Sequence, residues 1–152
     1  MTNLETLDHL VKVCVDSAER YRHAASDVGK EKLMQFFQRQ EAVRRGDADE
    51  LNAERKRLGG EGERPGKESG SVSGFIDRAE MDLNVVMSMG DTGVVDWCRQ
   101  DVKDVIAEYQ KALRENLPAA TRAILERQLS ENRDTLAALE KILQPYGGHP
   151  RS

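Results

Sequence analysis

Aromatic residues are scarce in this chain, at 5 % of 152 positions, and Val, Ile, Tyr and Thr are too thin on the ground to build extended sheet. No apolar run approaches the roughly 18 to 20 residues that a membrane span requires, and the opening MTNLETLDHL has no basic-then-apolar layout of a signal peptide. The expectation is therefore a cytoplasmic protein with no membrane partner. Cysteine occurs twice, as Cys14 and Cys98, each isolated in an apolar helical pattern without a CxxC partner. That disfavours a disulfide framework or a structural zinc site and leaves free buried thiols. Charge of one sign is lacking too: 27 acids and 23 bases are interspersed, for a net charge of −4, and no basic stripe marks a nucleic-acid partner. Nucleophilic hydrolase chemistry has no parts, since there is no GxSxG elbow and the glycines between 59 and 74 follow a helix rather than lead into one.

What is present is charge, at 33 %, together with recurrent Ala, Leu, Glu, Arg and Lys, a balance that suits long helices with wet outer faces. The length fits one domain over residues 1–152. From Leu4, apolar or small residues fall at 4, 7, 11, 14, 18, 21, 25 and 28, a 3,4 spacing that keeps one stripe toward a partner. A turn at Gly29 leads to a second helix anchored by Leu33, Phe36, Phe37, Leu51 and Leu58 and stopped by Gly59 and Gly60. The short connection predicts an antiparallel hairpin. Residues 59–71 read as a linker, 72–89 as a shorter helix ended by Gly90, and Asp91 as the cap of the next one. That helix carries Val94, Cys98, Val102, Val105, Tyr109 and Ala112 on one face. After a break at residues 116–118, a final helix places Leu125, Leu129, Asn132, Leu136, Leu139 and Leu143 inward, before a frayed tail over 145–152.

Four of these segments hold about 26 residues, or roughly 39 Å of helix, whereas 72–89 is near 27 Å. Four equal rods predict an all-α four-helix bundle of two antiparallel hairpins, joined by the linker and a crossover helix.

The middle of the second helix is polar. Its inner stripe runs from Phe37 through Gln40, Arg44 and Asp47 before reaching Leu51. In a hairpin turning at Gly29, Glu19 stands level with Gln40 and Glu41, with Arg44 one turn away; the second hairpin sets Asp101 level with about Arg133, near Asn132. Carboxylates meeting inside a bundle bring to mind di-iron centres with a Glu-x-x-His on two helices. No such motif exists here, because the histidines are His9, His23 and His149, and Glu41 is followed at that spacing by Arg44, Glu131 by Asp134. An arginine in a ligand's place is itself a cation and can fork two hydrogen bonds to a carboxylate. The expectation is a buried Glu19–Arg44 pair, with Glu19, Glu41, Asp101, Glu108 and Glu131 as the pool of oxygen ligands should iron or manganese bind instead.

The segments CVDSAERYRHAA, RLGGE, GSVSGFIDRAEMDL and YQKALRENLPAATRAILERQL, in that order, together resemble a family of small bacterial ferritin-like bundles of unknown function. The resemblance spans nearly the whole chain and implies a ferritin-like fold with one long crossover. It implies no catalytic residue, and no settled activity passes with it. Glu19 matches a family acid, while Val102 and Leu136 stand where a family acid and a late histidine would be expected. Three functions follow in order of expectation. The first is a non-enzymatic bundle acting through a homo-oligomer or a protein partner, its degenerate metal site closed by an ion pair. The second is a carboxylate-rich bundle that handles iron or manganese. The third, thiol redox sensing by Cys14 and Cys98, is disfavoured because burial and nearby acids raise a thiol pKa.

Overall fold

The computed structural model describes residues 2–29, 31–59 and 92–143, apart from the side chains at 92, 142 and 143. Four α-helices and no strand occur among the described residues: α1 (Asn3–Asp27), α2 (Glu31–Arg57), α3 (Thr92–Ala112) and α4 (Ala119–Leu143). The expected linker beyond Gly59, the crossover helix over 72–89, the cap at Asp91 and the tail over 145–152 lie outside the described residues. No described helix is long and apolar enough to cross a membrane.

Local chemistry sets the helix ends. Thr2 caps α1, its hydroxyl accepting from the Glu5 backbone N–H at 3.1 Å while the Glu5 carboxylate accepts from the Thr2 N–H at 2.9 Å. This reciprocal pair satisfies two otherwise orphaned donors. At the end of α2, Gly59 takes a φ of +100° and donates its N–H to the Lys56 carbonyl at 3.0 Å, the left-handed stop that glycine tolerates. The expectation for α3 ran on to residue 116, but its helix closes at Ala112. There Arg122 reaches back from α4, its Nη2 donating to the Leu113 and Glu115 carbonyls at 3.1 and 3.0 Å, which gives the unwound turn partners that helix would otherwise supply.

Side-chain pairs fix the topology. Ser17 meets Arg44 and Asp8 meets Arg55, so α1 and α2 are antiparallel; Tyr109 meets Gln128 and Arg99 meets Glu140, so α3 and α4 are too. Tyr21 against Trp97 and His9 against Glu108 set α1 antiparallel to α3, and Arg44 with Asn132 and Glu54 with Thr121 set α2 antiparallel to α4. Two hairpins thus stand side by side in the order α1, α2, α4, α3 around the bundle. Because α2 and α3 both oppose α1, they run the same way, and the end of α2 and the start of α3 stand at opposite ends of the bundle.

The core follows the 3,4 stripes with additions. Leu7, Val11, Cys14, Ala18, Tyr21 and Ala25 of α1 are buried as the spacing predicts, joined by Leu10 and the polar Thr6 and Ser17. In α3 the inner face is turned slightly from the expectation, with Val95 rather than Val94 fully enclosed. Leu51 and Leu125 are wholly enclosed toward one end, and burying a side chain of that size contributes roughly 1.5–3 kcal/mol. Phe36, Phe37, Tyr21 and Trp97 form a linked aromatic group toward the other, with Trp97 edge-on to Tyr21 and Phe37 at centroid distances of 5.4 and 5.8 Å. Between the two ends the core turns polar.

Candidate functional site

Arg44 sits in the middle of this polar stretch with only 5 % of its side chain exposed. Each of its three guanidinium nitrogens addresses a different neighbour helix. Nε donates to the Ser17 hydroxyl of α1 at 2.9 Å, Nη1 donates to Asn132 Oδ1 of α4 at 2.8 Å, and Nη2 faces Asp101 Oδ2 of α3 at 3.8 Å. Asp47, one turn along α2 itself, presents Oδ2 4.0 Å from Nη1. Ser17, Asp47, Asp101 and Asn132 are all buried. Burial works against the charge on Arg44, yet the acidic groups around it, Tyr21, Asp101 and Asp47 among them, more than offset this and hold its pKa above the ordinary arginine value.

Asp101 is the second node. Its Oδ2 accepts from Ser17 Oγ at 2.8 Å, and its Oδ1 accepts from Arg20 Nε and Nη2 at 3.0 and 2.5 Å. Arg20 is half exposed and links the buried carboxylate to the surface. Asn132 closes another corner, its amide donating to the Gln128 carbonyl at 2.9 Å. Gln128 is itself wholly buried and extends the network toward α3 and α2. Tyr109 donates to Gln128 Oε1 at 2.5 Å, and Gln128 Nε2 donates to Glu50 Oε1 at 2.8 Å. With the phenol proton committed to Gln128, the Cys14 thiol, 3.4 Å from the Tyr109 oxygen, is the donor in that contact.

Both thiols are free and enclosed. Burial, reinforced by Asp47, pushes Cys14 up to about 12, and burial with Asp101 does the same to Cys98. Burial also lifts the Tyr21 and Tyr109 hydroxyls well above their usual range. Neither thiol is a nucleophile at neutral pH.

The expected Glu19–Arg44 pair requires correction. Glu19 is 40 % exposed in its side chain and receives Arg45 Nη2 at 2.7 Å, with Arg22 Nε 3.4 Å away. Its hydrogen bond from Arg45 lowers its pKa, the direction expected of a carboxylate held by a cation in water. Two geometric facts explain the change of partner. Residues 44 and 45 differ by 100° around α2, which turns Arg44 inward and Arg45 to the seam with α1. Long side chains also lean toward their helix amino terminus, so the tips meet about one turn away from the level that Cα positions alone would give.

The proposed oxygen ligands do not converge. Glu41 shares Arg45 with Glu19, accepting from its Nε at 2.9 Å; Glu108 pairs with His9 at 2.7 Å; and Glu131 lies 3.5 Å from Arg127 on the outer side of α4. Asp101 alone of the set is in the core. Among the described residues, no group of three or more His, Cys, Asp or Glu side chains stands together in a way that could hold a metal ion. Among the described residues a di-iron or di-manganese centre does not fit, because the carboxylates it would use are spread over four sites and the midline holds a guanidinium.

Arg44 and Asp47 were visible in the sequence as polar residues on an inner stripe, and Asn132 as part of the stripe of α4. Ser17 and Gln128 were missed. Both continue the spacing, Ser17 between Cys14 and Tyr21, and Gln128 between Leu125 and Asn132, so a polar residue on an apolar stripe was the signal.

Residues 2–115, from the capping threonine through the whole of α3, match the family model described as Domain of unknown function (DUF2383). No curated protein matches the chain.

Proposed function

We propose, starting from the fact that the chain belongs to the DUF2383 family, a non-enzymatic ferritin-like bundle that works through its outer surface, on a second copy of itself or another protein. The single observation behind this reading is the buried Arg44, which stands at the midline with a hydrogen-bonding or ionic partner on every helix of the bundle. A centre closed by a permanent cation offers a metal ion no open coordination position, which metal chemistry in a bundle needs. The parallel course of α2 and α3, with their joined ends at opposite ends of the bundle, supports the ferritin-like topology with one long crossover. Two unbridged buried thiols suit the reducing cytoplasm. The interspersed charge and the lack of a basic stripe in the sequence favour a protein partner over nucleic acid.

Elemental analysis tests the closed centre. Protein purified without chelator, incubated with ferrous iron or manganese and desalted, is expected to hold far less than one equivalent of either. Stoichiometric metal that disappears in Asp101→Asn would overturn the reading in favour of a carboxylate site at the centre. Sedimentation or light scattering over a range of concentrations tests self-association, with a mass above the 17.1 kDa of one chain expected if the partner is a second copy.

A further inference from the structure

The three nitrogens of Arg44 do more than neutralise a carboxylate. Nε, Nη1 and Nη2 diverge in one plane, and each meets an oxygen from a different helix: Ser17 Oγ at 2.9 Å, Asn132 Oδ1 at 2.8 Å and Asp101 Oδ2 at 3.8 Å. Asp47 adds a fourth oxygen at 4.0 Å from Nη1. The receiving groups are themselves held. Ser17 spends its hydroxyl proton on Asp101, which turns its lone pairs to Arg44, and Asn132 donates an amide proton to the Gln128 carbonyl while its oxygen faces the guanidinium. Asp101 is fixed from outside by Arg20. The oxygens of Ser17, Asp101 and Asn132 are therefore oriented by bonds that do not involve Arg44.

From this geometry we infer that the middle of the bundle is a binding site for a planar guanidinium cation, with Arg44 as its tethered occupant. The inference rests on the closed-centre reading above and sharpens it, since it names the class of cation. Two nitrogens donate to oxygens of different helices and the third faces a carboxylate at ion-pair distance, as a planar fork allows. A spherical cation would need these oxygens gathered to about 2.0–2.6 Å around one point, and an ammonium carries its charge at a single atom.

Chemical rescue tests it. Arg44→Ala keeps Cβ and leaves room for the atoms of ethylguanidinium, which supplies every heavy atom beyond it. The variant is refolded with millimolar ethylguanidinium, ethylammonium, manganese or sodium, and thermal unfolding is followed by circular dichroism. Without an added cation the variant is expected to melt well below wild type or not to fold. Ethylguanidinium should raise the melting temperature by ~3–6 °C for each tenfold increase above its dissociation constant, as binding to the native state alone requires, while wild type stays flat. Ethylammonium and Arg44→Lys should fail to restore it. Adding Asp101→Asn to Arg44→Ala should remove most of the response. The inference is overturned if manganese rescues as well as ethylguanidinium does, if no compound rescues, or if Arg44→Ala is as stable as wild type unaided. Failure here with metal-free wild-type protein would sink the guanidinium site alone; metal bound to wild type would sink the closed centre itself.

Discussion

At the scale of single residues, one position separates an inner cation from an outer one. Arg44 and Arg45 are neighbours in sequence, yet the first is enclosed and the second bridges Glu19 and Glu41 at the rim. A double-mutant cycle on Glu19 and Arg45 is expected to give a coupling of about 0.2–1 kcal/mol, the range of half-exposed ion pairs. The same cycle on Glu19 and Arg44 should give none, and coupling there as strong as with Arg45 would contradict the assigned geometry. The buried thiols carry a pH signature. In the native state Cys14 and Cys98 ionise near 12, against an ordinary value of 9.0. Between those limits the native chain holds protons that the unfolded chain has lost, so stability falls as pH rises, by ~1.4 kcal/mol per pH unit for each thiol. Urea titrations from pH 9 to 10, below the range where the raised Tyr21 and Tyr109 hydroxyls add to it, should show stability falling in wild type and a shallower fall in Cys14→Ala. How far such details are legible from sequence depends on what the stripe exposes. Polarity on an inner stripe identified Arg44, Asp47 and Asn132, but which side chains touch depends on lean and rotation, and those are invisible in a count of residues.

At the scale of helices, the four rods could be read because their apolar spacing is regular, and α2 was the hardest because its middle third is polar. Through that third its neighbours are the groups that Arg44 meets, while Phe36, Phe37 and Leu51 pack into the core on either side of it. The stops were partly legible. Gly59 was read as a terminator and takes the left-handed conformation that makes it one. A Cβ there would meet no atom within 4 Å, so Gly59→Ala should act through backbone strain alone and lower stability by about 1 kcal/mol, measured by denaturant titration. A neutral result would mean that the turn relaxes without the glycine. The early end of α3 was not legible, since it depends on Arg122, nine positions beyond the first carbonyl it satisfies.

At the scale of the whole molecule, the two hairpins are internally close-packed and meet each other through a thinner seam. Much of that seam is polar: Arg20 and Ser17 to Asp101, Arg44 to Asn132, Glu54 to Thr121, Glu50 to Gln128 and Arg127. Aromatic contact adds to it near Trp97. Hairpin pairing was predictable from short connections, but no periodicity within a helix reveals which hairpin faces meet. Membership of the family extends through α3, whereas Asn132 and Gln128, which complete the central network, belong to α4 beyond the matched residues.

Trp97 is the one tryptophan of the chain; it sits on α3, keeps 38 % of its surface in water and lays its edge on Tyr21 of α1 and Phe37 of α2. Its emission is consequently an optical gauge of hairpin docking. If the seam opens before either hairpin unravels, the indole spectrum will shift to the red and energy transfer from Tyr21 will fall while the far-ultraviolet helix signal stays level; coincident transitions in all three would instead mark the bundle as a single cooperative unit.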